Sequence, residues 1–358
     1  MRIGIDAREL CGRATGVGRY LSGLLTAWSA DEGTRRHDFV LYTPEALTVR
    51  LDTRRFPTRL VPGAPAIWWE QVRLPRVAKA DHLDVFFAPA YTAPLLIRVP
   101  TVVTIHDLSF AAHPEWFRLR EGIRRRSLTR ATALGARTIV TVSEFSKREI
   151  LERLGVPDQK VRVIPQGIDA PGRAVGSASD PRILYVGSIF NRRRVPNLIR
   201  AVAALAVDHP DVSLDVVGDN RTFPYEDIEG TIERHQLRGR VRWHRYVSDD
   251  RLRELYARAR AFAFLSEYEG LGMTPLEALA AGVPPVVVDT AVARETLGDA
   301  ALYVPAGDIR ATTQALERVL FDEPTRAQLL AAAPKTLARY SWPRAARETL
   351  AVLEAAVD

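Results

Sequence analysis

Cys11 is the only cysteine among 358 residues, so an internal disulfide is excluded and a reducing compartment is the natural setting. Lysine is almost as scarce, with arginine supplying all but four of the 50 basic residues. There is no long apolar run. The most apolar stretch, Val85 to Ile105, contains three prolines and Arg98, which argues against a bilayer span. The opening Met-Arg-Ile-Gly-Ile-Asp-Ala-Arg-Glu places charges where a signal peptide needs an apolar core, so a cytoplasmic protein is expected. No Asp-x-Asp occurs, nor any His/Cys cluster with metal-ligand spacing, and a metal site is not expected. Helix-turn-helix, zinc-finger and RNA-binding signatures are lacking too, which removes nucleic acid as a partner. Internal repeats and low-complexity tracts are also missing.

What remains is a soluble globular composition, 47% apolar and 26% charged, in a chain long enough for two domains. Charge is unevenly divided. Residues 1–168 hold 26 Lys+Arg against 17 Asp+Glu, whereas the rest holds 24 against 26. The first half therefore suits a phosphate-bearing partner or an anionic membrane surface, the latter as a peripheral association on the inner face of the cell membrane. The basic stretch from Trp116 to Arg130, with interleaved apolar residues, reads either as the element resting on lipid or as a solvated arginine face. Trp68 and Trp69 read as core residues rather than groove walls.

Apolar strand-like runs alternate with helical patterns nearly throughout, the signature of an α/β protein with parallel, doubly wound sheets. Six runs fall in a first set: Arg2–Asp6, Phe39–Tyr42, Val85–Ala88, Thr101–Ile105, Thr138–Val142 and Val161–Ile164. Six more form a second: Ile183–Val186, Ser213–Val217, Val241–His244, Ala261–Leu265, Pro285–Val288 and Ala301–Val304. Between them, residues 169–181 are small, glycine- and proline-rich and aperiodic, hence a linker. The expected organisation is a first domain over 1–168, a second over 182–340 and a terminal helix over 341–358. Two such domains would face each other across a cleft, with ligands beyond the carboxyl ends of the strands.

The most informative stretch is Ser266-Glu-Tyr-Glu-Gly-Leu-Gly-Met-Thr-Pro-Leu-Glu-Ala-Leu-Ala-Ala-Gly282. It follows a buried strand with a glycine turn and then a helix. Thr274-Pro-Leu-Glu277 reads as a capping box with proline in the first turn. Free amides around Gly270, Leu271, Gly272, Met273 and Thr274 would make an anion seat, flanked by the carboxylates of Glu269 and Glu277. Capping alone explains Glu277; it explains neither Glu269 nor the two glycines. Tyr185-Val-Gly-Ser-Ile-Phe-Asn-Arg-Arg-Arg-Val195 sets three arginines after Gly187, suited to phosphate in bidentate fashion or else a solvated charge run. His106 and Asp107 close another strand. There the histidine can donate a hydrogen bond to a sugar hydroxyl while the aspartate fixes its tautomer or caps a helix. Gly12-Arg-Ala-Thr-Gly-Val-Gly-Arg-Tyr20 reads as a flexible loop; Gly16 and Gly18 do not complete a dinucleotide fingerprint.

These elements together resemble the retaining glycosyltransferases of family 4. The stretch around Glu269 and Glu277 resembles that family's Glu-x7-Glu motif. The segment from His106 to Glu115 is similar to its His-Asp-Leu-Ser-Phe element, and Gly16-Val-Gly-Arg-Tyr20 to its Gly-Val/Ile-Gly-Arg-Tyr element. Val163-Ile-Pro-Gln-Gly-Ile-Asp169 has glutamine where the family usually has asparagine, and Arg193 stands where it usually has lysine. The resemblance spans nearly the whole chain. It implies the GT-B fold: two Rossmann-like domains and a last helix, from Ser341-Trp-Pro-Arg onward, returning to the first domain.

The resemblance also implies a function. A nucleoside-diphosphate sugar would serve as co-substrate, with no other cofactor and no metal. Arg192, Arg193 and the amides near Met273 and Thr274 would hold the diphosphate, with Gly187 beside it. Glu269 would hold sugar hydroxyls and Glu277 the ribose. His106 would contact the sugar, and the loop with Gly16 and Gly18 would close over it. The pattern from Gly16 to Asp107 looks most like bacterial mannosyltransferases, so GDP-mannose is the expected donor and a saccharide or lipid-linked glycan the expected acceptor. UDP-sugars and a non-catalytic nucleotide-sugar-binding module are the alternatives. A pyridoxal-dependent phosphorylase is disfavoured, because none of Lys79, Lys147, Lys160 and Lys335 lies on a strand expected at the cleft.

Overall fold

A computed structural model describes residues 1–12, 15–63, 66–169, 171 and 180–357. Most of the expected linker therefore lies outside the described residues. The chain divides into two compact units: Met1–Ala112 with Leu119–Gly167 and Tyr340–Asp358, and Ile168–Arg339 with His113–Arg118.

The first unit is built on seven strands: β1 (Arg2–Asp6), β2 (Asp38–Thr43), β3 (Thr58–Leu60), β4 (Val85–Ala88), β5 (Thr101–Thr104), β6 (Thr138–Thr141) and β7 (Val161–Val163). Their order is β3-β2-β1-β4-β5-β6-β7, and every pairing is parallel. Strand β3 was not expected. Its three residues, Thr-Arg-Leu, are all exposed at the sheet edge, so it carries no apolar run to read. The central strands are buried on both faces, as parallel sheets covered by helices require.

Helix Gly16–Ala30 packs on this sheet through Tyr20, Leu21, Leu24, Leu25 and Trp28, a single stripe at helical spacing. The last helix, Trp342–Ala355, belongs to the same unit and packs on it, placing Ala345, Ala346, Leu350 and Leu353 in the core. Two features fix that contact. Trp28 Nε1 donates to the Ala346 carbonyl at 2.8 Å. The Trp342 indole lies flat against Gly23 and Gly167, where a methyl group would have no room.

The second unit has six strands: β8 (Arg182–Val186), β9 (Ser213–Val217), β10 (Val241–His244), β11 (Ala261–Phe264), β12 (Pro285–Val288) and β13 (Leu302–Val304). Their order is β10-β9-β8-β11-β12-β13, again all parallel. Pro285 opens β12, where a missing N–H costs the ladder least. Both sheets reverse direction of winding once, between β1 and β4 in the first unit and between β8 and β11 in the second. In open parallel sheets such reversals leave a crevice at the carboxyl ends of the two strands.

Candidate active site

In the second unit, the chain leaves β8 through Gly187, at φ +143°, a conformation that favours glycine. A Cβ here would stand 2.6 Å from Arg193 Nη1. A single turn, Asn191–Arg193, then carries two arginines back toward the loop after β11, and Glu267 N donates to the Arg192 carbonyl at 2.9 Å to tie turn and loop together. Arg193 Nε and Nη2 donate to the two oxygens of Glu269 at 2.9 and 3.3 Å, while Nη1 donates to the Ser188 carbonyl at 2.9 Å. Ser266 Oγ donates to Glu269 Oε1 at 2.8 Å. Burial pushes the Glu269 carboxyl up, but Arg193 and Arg192 beside it outweigh that and hold it below the usual carboxylate range. Burial likewise disfavours the charged Arg193, yet Glu269 keeps it above its ordinary value.

Arg192 is placed differently. Its guanidinium lies 4.6 Å from the Phe190 ring centroid and 6.0 Å from that of Trp116, and its Nε is 3.8 Å from Glu269. That Nε is buried with no hydrogen-bond partner among the described residues. The third arginine of the run, Arg194, turns to Glu267 with two bonds of 2.8 and 2.9 Å. It is an ion-paired structural group.

The helix after β11 begins at Met273, not at Thr274. Gly272, at φ +81°, occupies the position before it, and no side chain caps the first turn. The expected capping box is therefore absent. A left-handed glycine starts the helix one residue early and draws Thr274 into the first turn. The consequence is a buried Thr274 hydroxyl with no partner, beside first-turn amides that have no intrahelical acceptor. Glu277 is buried one turn further along, and Gly270 and Leu271 are buried in the preceding turn. The second unit thus gathers Gly187, Arg192, Arg193, Glu269 and the 270–277 segment at the carboxyl ends of β8 and β11.

The remaining expected residues belong to the first unit. His106 follows β5, half-buried, with its ring edge-on to Tyr20 and Tyr91 at 4.9 and 5.7 Å. Its Nε2 donates to the Pro89 carbonyl at 2.9 Å, so Nδ1 is left as an acceptor. The expected donor role is thereby reversed: the ring proton is already spent on backbone. Burial lowers the imidazole below its ordinary value, which keeps it neutral. Asp107 does not set the tautomer. It accepts from the Ser109 amide at 2.8 Å, capping the short helix there, and from the Tyr91 hydroxyl at 2.9 Å. Gly16 and Gly18 are not loop residues but sit in the first turn of Gly16–Ala30, with Thr15 as cap accepting from Gly18 N at 2.9 Å. Gly18 is needed because a Cβ would meet the Glu9 carbonyl at 2.5 Å. Arg13 and Ala14 of that expected loop lie outside the described residues. Tryptophans 68 and 69 part company: Trp69 is buried and donates to the Val61 carbonyl at 2.6 Å, whereas Trp68 is 52% exposed.

One group was not anticipated. Where the first sheet reverses, a cavity of about 280 Å³ is lined by Arg8, Glu9, Glu70, Tyr91, Thr92 and Arg124, among others. Arg8 sits between two buried carboxylates, with Nε 2.8 Å from Asp6 Oδ2 and Nη2 2.8 Å from Glu70 Oε1. It also lies 5.1 Å from the Trp69 ring centroid. Thr92 donates to Glu70 at 2.5 Å. The one signal available beforehand was Asp6-Ala-Arg8 ending the first strand.

Two family models match the chain. Residues 14–170 match the one described as "Glycosyltransferase Family 4" and residues 174–336 the one described as "Glycosyl transferases group 1". The chain belongs to the GT-B glycosyltransferases. Its relatives include "O-antigen chain mannosyltransferase B" of Escherichia coli, 25% identical over 76% of this chain and 75% of that protein. Another is the "GDP-mannose:cellobiosyl-diphosphopolyprenol alpha-mannosyltransferase" of Xanthomonas oryzae pv. oryzae, 28% identical over 69% of this chain and 64% of the other. Among solved structures, a sucrose-phosphate synthase from Thermosynechococcus elongatus superposes with a TM-score of 0.80 at 19% identity, covering 99% of this chain and 98% of that one. At that identity the likeness establishes the fold alone. This glycosyltransferase shows no group of three His, Cys, Asp or Glu able to hold a metal ion among the described residues. No described helix is long and apolar enough to cross a membrane.

Proposed function

We propose that this glycosyltransferase moves a hexose, mannose in the best-supported reading, from a nucleoside-diphosphate sugar to a saccharide or lipid-linked acceptor with retention of configuration and without a metal. The observation that carries this reading is a pair of buried orphans at the β8/β11 reversal, Arg192 Nε and Thr274 Oγ1. Buried polar atoms are normally paired, and a polyanion supplies the acceptors both of these donors lack. Arg193 and the amides of Met273 and Thr274 add to the same demand for negative charge.

In transfer, the bond between the sugar C1 and the β-phosphate oxygen breaks, and its electron pair leaves with the diphosphate. The acceptor hydroxyl oxygen forms the new bond to C1, and its proton passes to the departing phosphate oxygen. Arg192, Arg193 and the helix start stabilise the charge that grows on that oxygen, the role a divalent cation plays elsewhere. Glu269 contacts sugar hydroxyls, Glu277 the ribose, and His106 accepts from a sugar hydroxyl through Nδ1. The cavity beside Arg8, Glu70 and Tyr91 is the seat proposed for the acceptor, since carboxylates and a fixed guanidinium suit a polyhydroxyl ligand.

GDP-mannose is favoured by the names of the relatives, two of which are quoted above. A UDP-sugar is the second reading, favoured by an Anabaena HepE structure in complex with UDP-glucose, at TM-score 0.77 and 18% identity, which covers 98% of this chain and 99% of the other. Thermal shift against GDP- and UDP-sugars separates them: a donor at 100 times its dissociation constant stabilises by ~2.7 kcal/mol. The stabilising sugar is then followed for transfer and slow hydrolysis with and without chelator. Stabilisation without turnover indicates a binding module, and no stabilisation by any nucleotide sugar overturns the proposal.

A further inference from the structure

A second concave surface of the first unit takes no part in the chemistry above. Three helical pieces, Ala66–Trp68, Trp69–Arg73 and Leu74–Ala78, run on end to end. Their flank and the loop before β5 enclose a groove of about 580 Å³. Trp68, Val72, Pro75 and Leu96 supply apolar wall, and the cations Arg76, Lys79 and Arg98 stand along it. No Asp or Glu lines it. Leu96 is 76% exposed, and Leu95 beside it 49%. Large apolar side chains left in water at this density need a reason. The three cations are exposed, and none has a carboxylate within ion-pair distance among the described residues.

We propose that this groove is the surface by which the protein rests on an anionic lipid bilayer, with Trp68, Leu95 and Leu96 entering the acyl boundary while Arg76, Lys79 and Arg98 meet lipid phosphates. Charge complementarity and the pairing of unsatisfied cations with exposed apolar groups fit a headgroup layer better than an aqueous partner. The contact proposed is peripheral, made by exposed side chains of the first unit. The basic helix Leu119–Gly135, the sequence-based candidate for this role, is the rival surface, with Leu119 and Ile123 exposed, but part of its charge is already engaged. Arg125 is paired with Glu121 at 2.6 Å, and Arg126 donates to the Phe110 carbonyl at 3.3 Å. Trp116, at the head of that stretch, stacks on His113 at 3.9 Å instead of facing outward as an anchor.

The test is co-sedimentation of the full chain with phosphatidylglycerol and with phosphatidylcholine vesicles over a salt series. Binding should require the anionic lipid and weaken with salt. Neutralising Arg76→Gln, Lys79→Gln and Arg98→Gln should each cost about five-fold in partitioning. Trp68→Ser with Leu96→Ser should abolish the part that survives high salt. All five positions are exposed, so the thermal midpoint should not move, and activity on a soluble acceptor serves as a second check of folding. Equal binding by wild type and groove variants, with loss instead on Arg120→Gln and Arg124→Gln, would move the surface to the basic helix and overturn the proposal. Tight binding of a short-chain prenyl phosphate without affinity for vesicles would also overturn it, making the groove a single-lipid pocket. That last outcome would leave the donor reading untouched, because donor binding is measured independently by thermal shift with nucleotide sugars.

Discussion

Glu269 and Arg193 hold each other through both carboxylate oxygens, at 2.9 and 3.3 Å, although they are 76 residues apart. The pair joins the loop after β8 to the loop after β11 across the reversal of the second sheet. A carboxylate assigned to sugar hydroxyls is thus already anchored from behind by the residue that replaces the family's usual lysine. Lysine offers one point charge and no fork, so it would hold Glu269 through one oxygen only.

That arrangement separates the two glutamates kinetically. Glu269 is assigned to the sugar hydroxyls at the reacting end, so Glu269→Ala should mainly lower kcat. Glu277 is assigned to the ribose, so Glu277→Ala should mainly weaken donor binding. Glu269→Ala also leaves Arg193 buried and unpaired, which should destabilise the fold by about 3 kcal/mol, the lower end for a broken buried pair because a seventh of each side chain still meets water. Single-turnover rates and donor titrations measure the split, and unchanged kinetics in both variants would remove these residues from the site.

Thr274 gives a sharper contrast between stability and binding. Its hydroxyl is buried without a partner, so Thr274→Val removes a polar atom that the folded protein does not use. The melting temperature should hold or rise, since an unsatisfied buried hydroxyl costs free energy. Affinity for the donor should nevertheless fall, by ~1.5–3 kcal/mol if the lost bond was to a phosphate oxygen, or roughly ten- to a hundred-fold. Melting and donor titration on the same variant decide it. Lower stability with unchanged affinity would mean that the hydroxyl has a structural partner.

Thr274 also marks the limit of what the sequence could tell. Strand periodicity was easy to read because parallel strands are buried on both faces; only the exposed edge strand Thr58–Leu60 escaped. Helix starts were harder. Thr274-Pro-Leu-Glu277 has the letters of a capping box, but Gly272 in a left-handed conformation settles the start earlier, and no local pattern announces a φ. The arginine run showed its charge but not its partners, so Arg194 could not be told from Arg192 until Glu267 and Glu269 were placed. Arg8 and Glu70 were invisible for the same reason, being 62 residues apart and meaningful only as a pair.

Gly23 carries a prediction about the returning helix. The Trp342 indole lies where a Cβ at position 23 would be, 2.5 Å from that site. Gly23→Ala would ordinarily favour a helix by about 1 kcal/mol, yet here the methyl must displace a packed indole. Overpacking should win and cost about 1–3 kcal/mol net. Combining it with Trp342→Leu should recover part of that loss, since the clash is between these two side chains. Chemical denaturation of the single and double variants gives the coupling, and simple additivity would show that Gly23 is constrained by something else.

His106 predicts an acid sensitivity whose sign follows from its surroundings. Burial lowers its imidazole below the ordinary 6.5, against the smaller raising effects of the Pro89 carbonyl and Asp107. Below pH 6.5 the unfolded chain therefore takes up a proton that the folded site refuses. The unfolded state binds more protons there, so stability rises with pH and is lost as pH falls from 6.5 through the folded value. His37 is lowered in the same direction, chiefly by burial, so part of the slope belongs to it. His106→Gln keeps an amide able to donate to the Pro89 carbonyl but cannot titrate. Its urea midpoint should consequently fall less than that of the wild type between pH 7.5 and 5.5, with His37→Gln as the control for the remainder. The same protonation would remove the Nδ1 lone pair offered to a sugar hydroxyl, so transfer by the wild type should decline on the acid side of pH 6.5 while donor binding by the second unit persists. An acid limb of equal steepness in His106→Gln would assign it to another group.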